Sequence, residues 1–196
     1  MRYEVVLDWG ETVNKCTIAP LAYRSDFRLI GVPRRGPLRS LRADWLLHPD
    51  GECITILRTQ AAPATPTLAA VDCVWRRLPK LLERLPGTLP RLVRIPEGFV
   101  TAYPRKSEID ADPQAGLATI EAIFVAAALL GNWDTTLLSE YYFGRAFVER
   151  NARLLEHWGI EAVRDPARWP VLNRKPRSSD QRKADRKVGF PAGIEI

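Results

Sequence analysis

Two carboxylates and one cysteine–threonine pair carry most of the chemistry this sequence offers. Asp72 stands in Val71-Asp72-Cys73-Val74-Trp75, after a run of small apolar residues and just before a helical pattern. An acid at the carboxyl end of a buried strand lies where open α/β sheets bind ligands. The free N–H groups of the following helix also attract anions there. The same residue could equally cap that helix, with Trp75 in the core, and the residues alone leave both readings open. Glu121 stands in Gly116-Leu117-Ala118-Thr119-Ile120-Glu121-Ala122, at the start of a strongly apolar segment. A carboxylate there is costly unless paired, and it gains from the helix dipole. Thr119 beside it would either cap the helix or hold a ligand. Lys15-Cys16-Thr17 adds a thiol and a hydroxyl but by itself specifies nothing.

These residues need elements to hold them. Residues 3–8 (Tyr-Glu-Val-Val-Leu-Asp) read as an opening strand. The glycines, prolines and arginines of 31–37 predict a loop. Trp45-Leu46-Leu47 runs into His48-Pro49-Asp50-Gly51, a turn signal, and 54–57 is a short β-branched strand candidate. Residues 67–73 read as a buried strand of parallel type. Apolar residues at 75, 78, 81, 82 and 85 have helical spacing, with Pro86-Gly87 as the stop. Residues 91–103 hold two strand candidates around Pro96-Glu97-Gly98, and 112–116 is a loop. A helix that is apolar nearly all round is expected over 117–130, and a more amphipathic helical region over 135–157. The order of strands and helices favours an α/β domain.

Composition bounds the function classes. The chain has 196 residues, 46% of them hydrophobic, enough for a sizeable core. Its longest apolar run, 117–130, is interrupted by Thr119 and Glu121 and falls short of the roughly 18 residues of a membrane span. The N-terminus carries no signal-peptide pattern, so a cytoplasmic protein is expected. Three cysteines at wide spacing and two distant histidines argue against a disulfide framework or a zinc site, and no metal is expected. The net charge is +6. Residues 24–42 hold six arginines against one aspartate, 76–94 six basic residues against one glutamate, and 174–187 seven against two aspartates. These segments would form a polyanion-binding face if they meet in space. Otherwise they are scattered solvated faces.

Taken in order, the motifs resemble the RNA 3-amino-3-carboxypropyltransferases. The rRNA branch of that superfamily, a ribosome-maturation family, has a lysine-cysteine-serine/threonine loop, which Lys15-Cys16-Thr17 resembles. It has a leucine-x-proline-x-glycine turn, as in Leu47-His48-Pro49-Asp50-Gly51. It also has valine-aspartate-cysteine-serine-tryptophan, from which Val71–Trp75 departs only at Val74. Leu89-Pro90-Arg91-Leu92-Val93 and Tyr142-Phe143-Gly144, with Phe147 and Asn151, are similar to later segments of the family. The family's asparagine-proline-x-asparagine-tyrosine-glycine segment is missing. Residues 101–105 and 116–122 are closer to the DTW-domain tRNA-uridine branch, although the aspartate-threonine-tryptophan of that branch is absent.

The resemblance implies an α/β fold with a small mixed N-terminal lobe over 1–70. An S-adenosylmethionine-binding domain similar to the knotted, trefoil (SPOUT-like) class would cover 71–163, and 164–196 would be a basic, flexible tail. It implies S-adenosylmethionine as cofactor and RNA as partner, rRNA first and tRNA second, with a monomer favoured and no membrane. Asp72 would orient or deprotonate a uridine-type N3. Thr17, Leu47, Trp75, Leu92, Val93, Tyr103, Leu117 and Thr119 would hold the cofactor. Arg24, Arg28, Arg34, Arg35, Arg76, Arg77, Lys80 and Arg84 would meet RNA phosphates. A knotted-class RNA methyltransferase would share the pocket but present the methyl group. A non-catalytic RNA- or ribosome-binding protein would keep the fold alone.

Overall fold

The computed structural model describes residues 1–8, 16–33, 35–61, 63–104, 116–172 and 194–195. Its centre is a six-stranded, wholly parallel sheet. The strands are β1 (Arg2–Leu7), β2 (Phe27–Gly31), β3 (Trp45–Cys53), β4 (Thr67–Asp72), β5 (Arg91–Arg94) and β6 (Ile194–Glu195), in the spatial order β5-β3-β4-β1-β2-β6. The helices are α1 (Leu78–Glu83), α2 (Thr119–Leu129) and α3 (Gly144–His157).

Alternation along β1 sorts the core. Tyr3, Val5 and Leu7 face α2 and α3, together with Leu68 and Ala70 of β4. Val6 faces the other way, onto Leu81 and Leu85 at α1 and onto Val32 and Leu38. Helix α2 is buried on every side, from Ile120 through Leu129 apart from Ala122. Its near-continuous apolar sequence reflects that central place. Helix α3 buries only Gly144, Phe147, Val148, Asn151 and Leu155, the spacing of one helical face.

The strand order places a crevice. From β1 the chain moves outward to β2, and from β4 it moves the opposite way to β5, yet β1 and β4 are neighbours. Their carboxyl ends form a topological switch point, the usual ligand site of open α/β sheets. Asp8 and Asp72 stand there, with the Asp8 N–H donating to the Asp72 carbonyl at 3.0 Å.

Several expectations change. Residues 54–57 are not a strand but part of a 3-10 helix, Ile54–Thr59, because Ile54 and Leu57 bury one face at the three-residue period of that helix. The turn signal at 48–51 does not end β3. It forms an irregular excursion inside the strand, with Val93 of β5 opposite both Leu47 and Glu52. The second strand candidate of 91–103 is a non-strand segment held by side chains. The helical region over 135–157 divides into a 3-10 turn, Thr135–Leu138, and α3. The boundary expected near residue 70 falls inside β4, and the strands on either side of it share one sheet. The expected tail is partly structured. Residues 161–168 form two 3-10 turns packed near α3, and Ile194–Glu195 pairs with β2. The basic run 174–187 and Arg34 lie outside the described residues. No helix among the described residues is long and apolar enough to cross a membrane.

Gly51 allows β5 to close against β3. A Cβ there would stand 2.5 Å from the Val93 nitrogen and 2.6 Å from the Leu92 carbonyl carbon. The obstacle is backbone, which cannot rotate away. Gly51→Ala is therefore expected to destabilise the fold by about 2–3 kcal/mol, read as a lower urea midpoint with an unchanged slope.

Candidate functional site

A cleft of about 920 Å³ opens at the carboxyl ends of β4 and β5 and at the excursion within β3. That volume lies within the ordinary range for small-molecule sites. Asp72 forms part of its floor. The Cys16 thiol donates to Asp72 Oδ2 at 2.9 Å, and the Thr119 hydroxyl donates to Oδ1 at 2.6 Å. Three separate segments thus meet on one carboxylate: the loop after β1, the end of β4 and the start of α2. Neighbouring Thr17 accepts a long hydrogen bond, 3.4 Å, from the Ile120 N–H at the first turn of α2.

Burial raises the Asp72 carboxyl above the ordinary aspartate value. The donors Cys16 and Thr119 pull it down, and the nearby charge of Asp8 adds to the rise. Burial, then the adjacent Asp72 charge, pushes the Cys16 thiol well above its usual range, so it stays a donor at neutral pH. Asp8 is itself only 1% exposed. Its Oδ2 meets Arg77 Nη1 at 2.9 Å, while Oδ1 has no hydrogen-bond partner among the described residues. The pair ties the end of β1 to the Trp75–Arg77 turn that follows Asp72.

The opposite wall is built without strand pairing. The Val100 N–H donates to Asn151 Oδ1 at 2.8 Å, and Asn151 Nδ2 donates to the Val100 carbonyl at 2.9 Å. The Thr101 hydroxyl and the Ala102 N–H donate to Glu121 at 2.6 and 2.8 Å. The Ala118 N–H and the Tyr141 hydroxyl donate to the same carboxylate, each at 2.8 Å. Glu121, fully buried, therefore accepts four hydrogen bonds, two on each oxygen. It fixes the wall that carries Tyr103 and the helix start that carries Thr119, both of which line the cleft.

Of the residues expected to hold a cofactor, Thr17, Leu47, Trp75, Tyr103, Leu117 and Thr119 line this cleft with Asp72. Leu92 and Val93 do not. Both precede the cleft-lining Arg94 in β5, and Val93 is fully buried in the α2-side core. Of the expected phosphate contacts, Arg24 and Arg28 are each engaged by two carboxylates. Arg24 lies beyond the amino end of β2, away from the cleft, bound to Asp26 at 2.8 Å and Asp134 at 2.9 Å. Arg28 is bound to Glu4 at 2.9 Å and Glu195 at 3.0 Å. Carboxylates already fix and neutralise both guanidinium groups. Arg76 and Arg77, next to cleft-lining Trp75, precede α1, Lys80 lies on it and Arg84 follows it. Arg84 holds the Pro33 and Gly36 carbonyls at 2.9 and 3.0 Å, which brings exposed Arg35 to the same side.

Sequence reasoning missed three contributors. Arg94 lines the cleft at the end of β5; its signal was the basic residue just before Ile95-Pro96, where the strand stops. Asp8 follows β1 directly and stands beside Asp72 at the end of β4, a proximity that only the strand order makes meaningful. Asn151 stood in a motif but without a task until its clamp on Val100 is seen. Among the described residues no group of three histidines, cysteines or acids could hold a metal ion.

No protein-family model matches the chain, and no curated protein matches it. Among solved structures it is similar to that of the SAM-dependent rRNA:acp-transferase Tsr3 from Vulcanisaeta distributa, with a TM-score of 0.58 and 21% sequence identity. The match covers 80% of this chain and 82% of that one. At that identity the likeness is one of fold, including the parallel sheet.

Two outcomes follow from the geometry. Glu121→Gln replaces one acceptor oxygen with an NH₂ group facing donors, and it is expected to cost about 2–4 kcal/mol in chemical denaturation. Asp72→Asn removes the charge beside Cys16, so alkylation of Cys16 near pH 8, followed peptide by peptide, should become several-fold faster. The sign of the pH effect is also set. The folded state holds the Asp72 proton more tightly than the unfolded chain, so ionisation costs stability. From roughly pH 4 upward, through the raised value, wild type should lose stability relative to Asp72→Asn.

Proposed function

We propose that this chain transfers the 3-amino-3-carboxypropyl group of S-adenosylmethionine to a uridine-type base in structured RNA, with small-subunit rRNA the first candidate. One observation carries the reading. The three motif segments that resemble the family, 16–17, 71–75 and 117–122, converge on a single carboxylate in a single cleft. The fold likeness to an rRNA:acp-transferase supports it. The trefoil-knotted character implied by the resemblance, and a cytoplasmic place of action, belong to the same proposal.

The cleft fits the cofactor's chemistry. Leu47, Ile95, Phe99 and Leu117 give it apolar walls for a nucleoside and a sequestered methyl group, while Thr17, Thr119 and Asp72 give it polar groups on one side. When bound, S-adenosylmethionine supplies an electrophilic carbon on a good leaving group, methylthioadenosine. The chain's own residues then orient and deprotonate. Asp72 is held rigid by Cys16 and Thr119, so its free lone pairs keep a fixed direction. Its raised proton affinity makes it a better acceptor for a weakly acidic base N–H than an ordinary surface aspartate. Glu121 acts at a distance, as a positioning residue for Thr119 and Tyr103. Arg35, Arg76, Arg77, Lys80 and Arg84 would meet phosphates on the α1 side, setting position rather than sequence.

The test uses pure protein, small-subunit rRNA, and S-adenosylmethionine labelled either on the methyl or on the carboxyl carbon. Carboxyl label alone should enter the RNA. Methyl label alone would move the protein to the methyltransferases. Failure to incorporate either, with no cofactor binding by calorimetry, would favour a binding protein that keeps the fold. Asp72→Ala should retain its fold and RNA affinity yet lose about 10²–10⁴-fold in turnover.

A further inference from the structure

We infer that Arg94 is an oxyanion-binding residue of the cleft, an inference that rests on the reading just given. Five arginines among the described residues are partly buried: Arg24, Arg28, Arg77, Arg84 and Arg94. Four of them are satisfied. Arg24 and Arg28 each bind two carboxylates, Arg77 binds Asp8, and Arg84 binds two backbone carbonyls. Arg94 makes no side-chain hydrogen bond or ion pair among the described residues, although Glu97 lines the same cleft.

A partly desolvated guanidinium without an acceptor is an unfavourable arrangement for folding alone. The other four each have an acceptor within the fold. Arg94 instead lines the cleft at the carboxyl end of β5. With β3 between β5 and β4, its backbone lies about two strand spacings, roughly 10 Å, from that of Asp72. A ligand reaching from Asp72 across the cleft would therefore come to it. The guanidinium fork matches a carboxylate or a phosphate bidentately. The proposed reaction brings both oxyanions: the carboxylate of the cofactor's amino-acid part and the phosphates of the RNA.

Calorimetry of wild type, Arg94→Gln and Arg94→Lys tests this with three probes: S-adenosylhomocysteine, 5′-methylthioadenosine, which lacks the amino-acid part, and a small-subunit rRNA transcript. If the oxyanion is the carboxylate, Arg94→Gln weakens S-adenosylhomocysteine at least tenfold and leaves methylthioadenosine unchanged. If it is a phosphate, both nucleosides bind as before, while RNA binding weakens and its salt slope falls by about one. Arg94→Lys should retain part of the affinity in either case. The melting temperature of Arg94→Gln should equal or exceed that of wild type, since an unpaired cation is removed. Unchanged binding of all three probes overturns the inference, as does equal weakening of both nucleosides. Wild type that binds RNA but not S-adenosylhomocysteine counts against the cofactor reading, and the RNA comparison then decides Arg94 by itself. Wild type that binds none of the three overturns both readings.

Discussion

The four hydrogen bonds accepted by Glu121 are the constraint on which the cleft depends. A carboxylate buried against a helix as apolar as α2 would be prohibitive alone. Here each oxygen receives two donors, drawn from the 101–102 segment, from Ala118 just ahead of α2, and from Tyr141 just ahead of α3. One side chain thereby sets the positions of three chain segments that have no sheet pairing among them. The satisfied network is also unforgiving, because a buried polar cluster that loses one member leaves the others unpaired.

Asp72 stands in a different balance. Its burial works against ionisation, and the Cys16 and Thr119 donors work for it. Asp8, one strand over, adds a second negative charge whose own partner is Arg77. The site thus keeps two carboxylates close at a switch point where backbone geometry, not side-chain attraction, brings them together. The thiol stays protonated first because it is buried and then because a carboxylate lies beside it, and its hydrogen bond orients that carboxylate.

Much of this was legible in the sequence, and the reasons are local. The strand over 67–72 and the helix over 119–129 announced themselves because residues 68–70 and 123–129 are buried and leave a continuous apolar signal. Asp72, Thr17 and Thr119 were found through motif order. The short β2 was hidden in a segment whose arginines suggested a basic surface, whereas Arg28 is there to pair with Glu4 and Glu195. The 54–57 segment misled because β-branched residues suit a strand, while the spacing of the two buried ones suits a tight helix. Strand order is a non-local property, so the pairing of Asp8 with Asp72, and the exclusion of Leu92 and Val93 from the cleft, could not be read from spacing.

The segment at 100–102 has one further consequence. Its backbone is gripped by Asn151 and Glu121, which belong to other elements and touch it mainly at main-chain atoms. Main-chain contacts are indifferent to which side chains the gripped segment carries. Val100, exposed and held only through its main chain, is therefore free to vary, whereas the Thr101 hydroxyl is itself a donor to Glu121 and Ala102 is buried. Main-chain clamps of this kind fix where the wall lies while leaving an exposed position on it, Val100, open to substitution.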